Sequence, residues 1–172
     1  KENYFKIFKQ QENEPPNNNE LNFEIDNKNE ENYLSQKLES KKGIRILIDK
    51  ILSSKSVSID YLISESNSYI SFCLSSTISY YVNFNLKDIT YTLNLFQEIF
   101  ESKILKIIYD HKHFLKILKA NKINIDDNFF DIKIANYLID SSRRDDLESI
   151  LKLNINAEIS ENQIHKRVSY IK

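Results

Sequence analysis

The chain is 172 residues long, 41% hydrophobic and 28% charged, with a formal net charge of −1. This length and balance are those of one globular domain with its own core, and they exclude a protein driven onto nucleic acid by its total charge. One glycine, Gly43, and one cysteine, Cys73, exclude a Gly-rich phosphate-cradling loop, an intramolecular disulfide and a Cys-based zinc set.

Residues 1–42 read as a polar, partly disordered linker. QQENEPPNNNE contains both prolines, and NKNEEN is charged without an apolar period. Short helical turns around Tyr4–Lys9 or Tyr33–Leu38 are the most that this segment offers. Residues 1–40 carry 5 Lys and 9 Asp/Glu, a net of −4, which leaves +3 on residues 41–172. That is a faintly basic body, weak support for a DNA-binding surface. The start at KENYFK, without Met, implies a fragment of a longer polypeptide. No apolar run reaches the roughly 18 residues of a membrane span, and no secretory signal opens the chain. No membrane partner is therefore expected, and the expected location is cytoplasmic.

From Gly43 onward the pattern is that of a domain, residues 43–172. IRILIDKIL (44–52) places Ile44, Leu47, Ile48, Ile51 and Leu52 on one helical face. SVSID then alternates as a strand, with Val57 and Ile59 facing one way. SYISFCLSS (68–76) and TISYYVNFN (77–85) are two more strand-like runs, close enough to pair as an antiparallel hairpin. Cys73 lies in that alternation and packs as a small hydrophobe. Asp88 is a helix N-cap candidate ahead of Ile89, Leu93, Phe96 and Phe100. KILKIIY (103–109) reads as a buried parallel strand. Asp110 then caps a helix with Phe114, Leu115, Ile117 and Leu118 on its core face. FFDIKIANYLID and DDLESILKL supply two further helices. Three strands, a helix, a strand and more helices make an α/β fold with a mixed sheet.

Four stretches, in this order, carry a resemblance: VSIDYL (57–62), KIIYDHKHFLKIL (106–118), FDIKIANYLID (130–140) and RRDDLESIL (143–151). Together they resemble the 3′→5′ proofreading exonuclease domain of bacterial family A (polymerase I type) DNA polymerases, over roughly residues 43–153. The resemblance implies a ribonuclease H-like exonuclease fold, a mixed five-stranded sheet with its first three strands antiparallel. It also implies that polymerisation belongs to an adjoining polymerase domain of the same chain. DNA is then a partner through the parent enzyme, as is the Mg²⁺ of the polymerase, and a monomer is expected.

The family's metal-binding acids are mostly replaced. Its Asp-x-Glu motif is similar to Asp60-Tyr61-Leu62, so the second acid falls on Leu62. Its Asn-x-x-x-Asp motif is similar to Asp110 through Phe114, so the metal-binding acid becomes Phe114. No match to its last motif, Tyr-x-x-x-Asp, is found, since no acid follows Tyr170. Such enzymes hydrolyse a phosphodiester with two divalent metals about 4 Å apart, and hard cations need oxygen ligands that Leu62 and Phe114 lack. Asp60 alone holds Mg²⁺ poorly. Phe114 is expected to fill the former metal cavity, gaining on the order of 2 kcal/mol by burial.

The expectation is a catalytically inactive domain with no cofactor, no catalytic residue and no metal site of its own, supporting a polymerase in replication and repair. Two rivals remain open. One is an active metal-dependent exonuclease with a rearranged set, Asp60, Asp110 and Asp131. The other is an unrelated interaction domain. His111 and His113, beside Asp110, have poor spacing for a helical metal site and read as solvated. Tyr80, Tyr81 and Phe84 have strand spacing and read as core alternation rather than a base-stacking platform. Arg143 and Arg144, before Asp145 and Asp146, read as a helix start.

Overall fold

The computed structural model of the protein describes residues 33–75, 77–142, 144–155 and 167–171. Its strands are β1 (Leu34–Lys37), β2 (Ser56–Leu62), β3 (Ser68–Ser75), β4 (Ile78–Phe84), β5 (Leu105–Ile108) and β6 (Phe129–Asp131). Its α-helices are α1 (Lys41–Leu52), α2 (Ile89–Leu95), α3 (Gln97–Glu101), α4 (His111–Ala120), α5 (Ile132–Ile139), α6 (Leu147–Ile155) and α7 (Arg167–Ile171).

The six strands form one mixed sheet in the order β1-β4-β3-β2-β5-β6. β2, β3 and β4 run antiparallel as expected, β5 and β6 add in parallel beside β2, and β1 adds in parallel beside β4. Two strands depart from the sequence reading. β1 lies in the segment read as linker, where a helical turn was the most expected. Its LSQK sequence has no apolar alternation, and the Leu34 and Leu38 amides anchor it by donating to the Thr77 and Tyr81 carbonyls, both at 2.8 Å. β6 takes the first residues of the stretch read as one helix, because Asp131 stops the strand and caps α5 with its side chain.

Strand alternation sorts the two faces of the sheet. Val57, Ile59, Ile70, Phe72, Val82 and Ile108 face the main core, filled from α1 to α4 by Leu47, Ile51, Leu93, Phe96, Ile99, Phe100, Phe114 and Leu118. The opposite face carries a smaller cluster of Ile107, Leu147, Leu151 and Ile171. Cys73 is buried and in no disulfide, and its thiol donates to the Ile78 carbonyl at 3.2 Å. Tyr81 is buried and Phe84 packs against the core, while the half-buried Tyr80 has the Lys50 ammonium 5.7 Å from its ring centre. These three aromatics serve the sheet. Asp88 makes no side-chain capping bond, and a 3₁₀ turn (Leu86–Asp88) leads into α2 instead.

Candidate functional site

β2 and β5 are parallel neighbours with Ile59 opposite Ile108, so Asp60 and Asp110 emerge at the same carboxyl edge of the sheet. Clefts of open α/β sheets form at this edge.

Asp60 points away from the main core, because its neighbours Ile59 and Tyr61 take the other face. It is 3% exposed. Its Oδ2 accepts a hydrogen bond from the Tyr69 hydroxyl at 3.1 Å, and the Arg167 guanidinium of α7 reaches its Oδ1 at 3.4 Å. Burial pushes the Asp60 carboxyl above its ordinary range, against the opposing pull of Arg167 and Tyr69. Both oxygens are thus engaged, one by a hydroxyl and one by a cation. The Arg167 Nε is buried without a hydrogen-bond partner among the described residues, so the pair is close but not ideally formed.

Leu62 closes β2 and is half-buried. Phe114 is fully buried, as expected, yet not beside Asp60. Its ring lies 4.8 Å from that of Tyr61 and 5.6 Å from that of Phe100, in the main core on the other side of the sheet. The group that stands against the Asp60 carboxylate is Arg167.

Asp110 sits at φ 54°, in the left-handed region, and its Oδ1 accepts the His113 amide at 3.0 Å, an N-cap as the sequence suggested. Its Oδ2 pairs with the Lys133 ammonium at 3.2 Å, and Lys133 also reaches Asp145 at 3.2 Å. Partial burial alone would raise the Asp110 carboxyl, but the His113 amide and Lys133 outweigh it and hold the group below its usual range. Asp131 is likewise spent on backbone. Its Oδ1 accepts the Lys133 and Ile134 amides, and its Oδ2 accepts the His111 amide at 2.8 Å. Across the sheet Asp131 is level with Ile108 and hence with Ile59, two strands from β2 and roughly 10 Å away by strand spacing.

The rearranged set Asp60, Asp110 and Asp131 shares an edge of the sheet, but each carboxylate already has its own partners. Among the described residues no group of three or more His, Cys, Asp and Glu is placed to hold a metal ion. The residues do not fit a two-metal centre: the carboxylate that remains on β2 is neutralised by a guanidinium.

Sequence reading missed three participants. Tyr69 and Arg167 meet Asp60 only through the sheet and through a contact 107 residues apart in the chain. His111, read as solvated, is buried, with its ring stacked on Phe129 at 3.4 Å between centres. His113 is exposed, its Nδ1 2.8 Å from the Tyr61 hydroxyl. Arg143 lies outside the described residues. Arg144 is exposed, and Asp146 caps α6 by accepting the Ser149 amide at 2.8 Å.

The same arrangement of strands and helices occurs in solved exonucleases. RNase D of Trypanosoma brucei, in complex with an RNA, superposes with a TM-score of 0.61 at 9% identity, over 80% of this chain and 60% of that one. The catalytic core of RRP6 from T. brucei gives 0.61 at 12% identity, over 80% and 44%. NrnC of Brucella melitensis gives 0.53 at 15%, over 80% and 74%. The chain has the 3′→5′ exonuclease fold. In sequence, this exonuclease-fold chain is similar to DNA polymerase I of Borreliella burgdorferi, with 27% identity over 175 residues and 95% of its length. It spans only 18% of that relative. No protein-family model matches the chain.

Proposed function

We propose that this domain is a catalytically silent 3′→5′ exonuclease fold that serves as a structural part of a DNA polymerase I type enzyme in replication and repair. The observation that carries the reading is the Arg167 guanidinium on Asp60. A divalent metal needs that carboxylate free and at least one more beside it, whereas here a fixed cation balances its charge and Leu62 and Phe114 add no oxygen. A cation already in place repels a second one, so the pair and a metal compete for the same oxygen atoms.

Likeness to one fifth of a polymerase I supports a role beside a larger neighbour. So does the surface of α5, where Tyr137, Leu138 and Ile139 are 61%, 77% and 56% exposed. Such a run of exposed apolar side chains suits a face covered by another folded part. The adjoining polymerase region is the occupant this reading commits to.

Binding of Mn²⁺, followed by electron paramagnetic resonance, tests the site directly. The wild-type domain is expected to show no site tighter than millimolar. A stoichiometric micromolar site, lost in Asp60→Ala, would sink the proposal and favour the rearranged acidic set.

A further inference from the structure

Helix α4 turns Phe114, Leu118 and His111 inward. On the opposite side Lys112, Lys116 and Lys119, four and three residues apart, form one exposed stripe. Between residues 111 and 120 the helix has no acidic residue. None of these three ammonium groups has an ion-pair partner among the described residues, whereas the nearby Asp110 and Asp126 are engaged by Lys133 and Lys103. Asp131 is held by the His111 amide, and Asp127 lines a small cavity of about 190 Å³ together with His111 and Lys119.

The geometry points to the outer face of α4 as a docking surface for the phosphate backbone of a DNA duplex. Seven residues of helix span roughly 10 Å, and a duplex strand presents a phosphate about every 3.4 Å along its axis, so the stripe meets about three phosphates. Lysine contributes point charge rather than the planar fork that reads base edges, so the contact is independent of sequence. Within α4 the only Phe, Tyr or Trp is Phe114, which is buried, so the helix presents none of these rings for the bases of a single strand to stack on. It is also separate from Asp60, which lies on the other side of the sheet, and it does not depend on whether the domain cleaves DNA.

Fluorescence anisotropy with a labelled 20-base-pair duplex, and with one of its strands alone, tests the surface on the full chain. Binding of the duplex should weaken about 40-fold between 50 and 200 mM salt, the slope expected for three phosphate contacts. In Lys112→Gln/Lys116→Gln/Lys119→Gln the affinity at 50 mM should fall at least about 10-fold and the salt slope should flatten. Lys41→Gln/Lys55→Gln/Arg144→Gln removes three exposed charges elsewhere and should leave binding within about 2-fold, while arginines at the three α4 positions should preserve it. Thermal melts compare the folding of every variant. The assignment is overturned if the wild-type chain does not bind duplex at about 100 μM. It is equally overturned if the α4 variant binds like wild type, if the control variant loses as much, or if the single strand binds more tightly.

Discussion

Asp60 and Arg167 are the residues on which the proposed absence of chemistry turns, and their coupling is measurable. Removing one partner of a buried ion pair strands the other charge, so Arg167→Ala should destabilise the fold by about 3 kcal/mol in urea unfolding. Asp60→Asn keeps an acceptor for Tyr69 and Arg167 and should cost less. The two substitutions also differ in their response to pH. An unfolded chain releases the Asp60 proton near its ordinary value of about 3.9. The folded chain releases it at higher pH, because the carboxyl is buried. Between those two values the native state binds more protons, so stability falls as pH rises through that window and is level above it. Asp60→Asn should remove that fall, and Arg167→Ala should widen the window upward. Urea melts from about pH 3.5 to pH 8 would show both; an unchanged pH slope in Asp60→Asn would contradict the assignment.

Among the elements, α4 and α5 show how acids that could have served a metal are held by backbone instead. Asp131 closes β6, caps α5 and accepts the His111 amide. Asp131→Ala should therefore lose about 2 kcal/mol, more than an ordinary cap, and this is readable in the same urea melts. Phe114→Asp would return an acid to the position where the polymerase resemblance expects one. That acid would sit in the main core against Tyr61 and Phe100, so the variant should lose at least about 3 kcal/mol without acquiring nuclease activity.

The legibility of these elements followed the length and period of their apolar pattern. IRILIDKIL, SYISFCLS and KILKIIY place themselves, since long apolar periods leave one way to bury them. LSQK does not, because β1 is held by pairing with β4 and not by its own side chains. Asp110 and Asp131 were readable as residues of interest, and Asp110 as a cap. Their full set of partners was not, because Lys133 and His111 come from other elements.

At the scale of the whole molecule, the fold was legible through the order of four motifs, while the state of the site was legible only by subtraction. Leu62 and Phe114 stand where the resemblance expects acids, and Phe114 turns into the main core, away from Asp60. Only the folded chain shows Arg167 on Asp60, since α7 docks on β2 and β3 from the far end of the sequence. The exposed apolar residues of α5 belong to this scale too. Leu138→Lys/Ile139→Lys should leave the stability of the isolated domain within about 0.5 kcal/mol. In the proposed polymerase I type parent it should uncouple this domain from the polymerase region, splitting one calorimetric transition into two. A single unchanged transition would place the covering partner elsewhere. The most direct measurement is degradation of a 3′-labelled single DNA strand by the purified chain, with Mg²⁺ and then with Mn²⁺, beside Asp60→Ala. The account predicts no cleavage above the background of that variant. Metal-dependent cleavage that disappears in Asp60→Ala would contradict it.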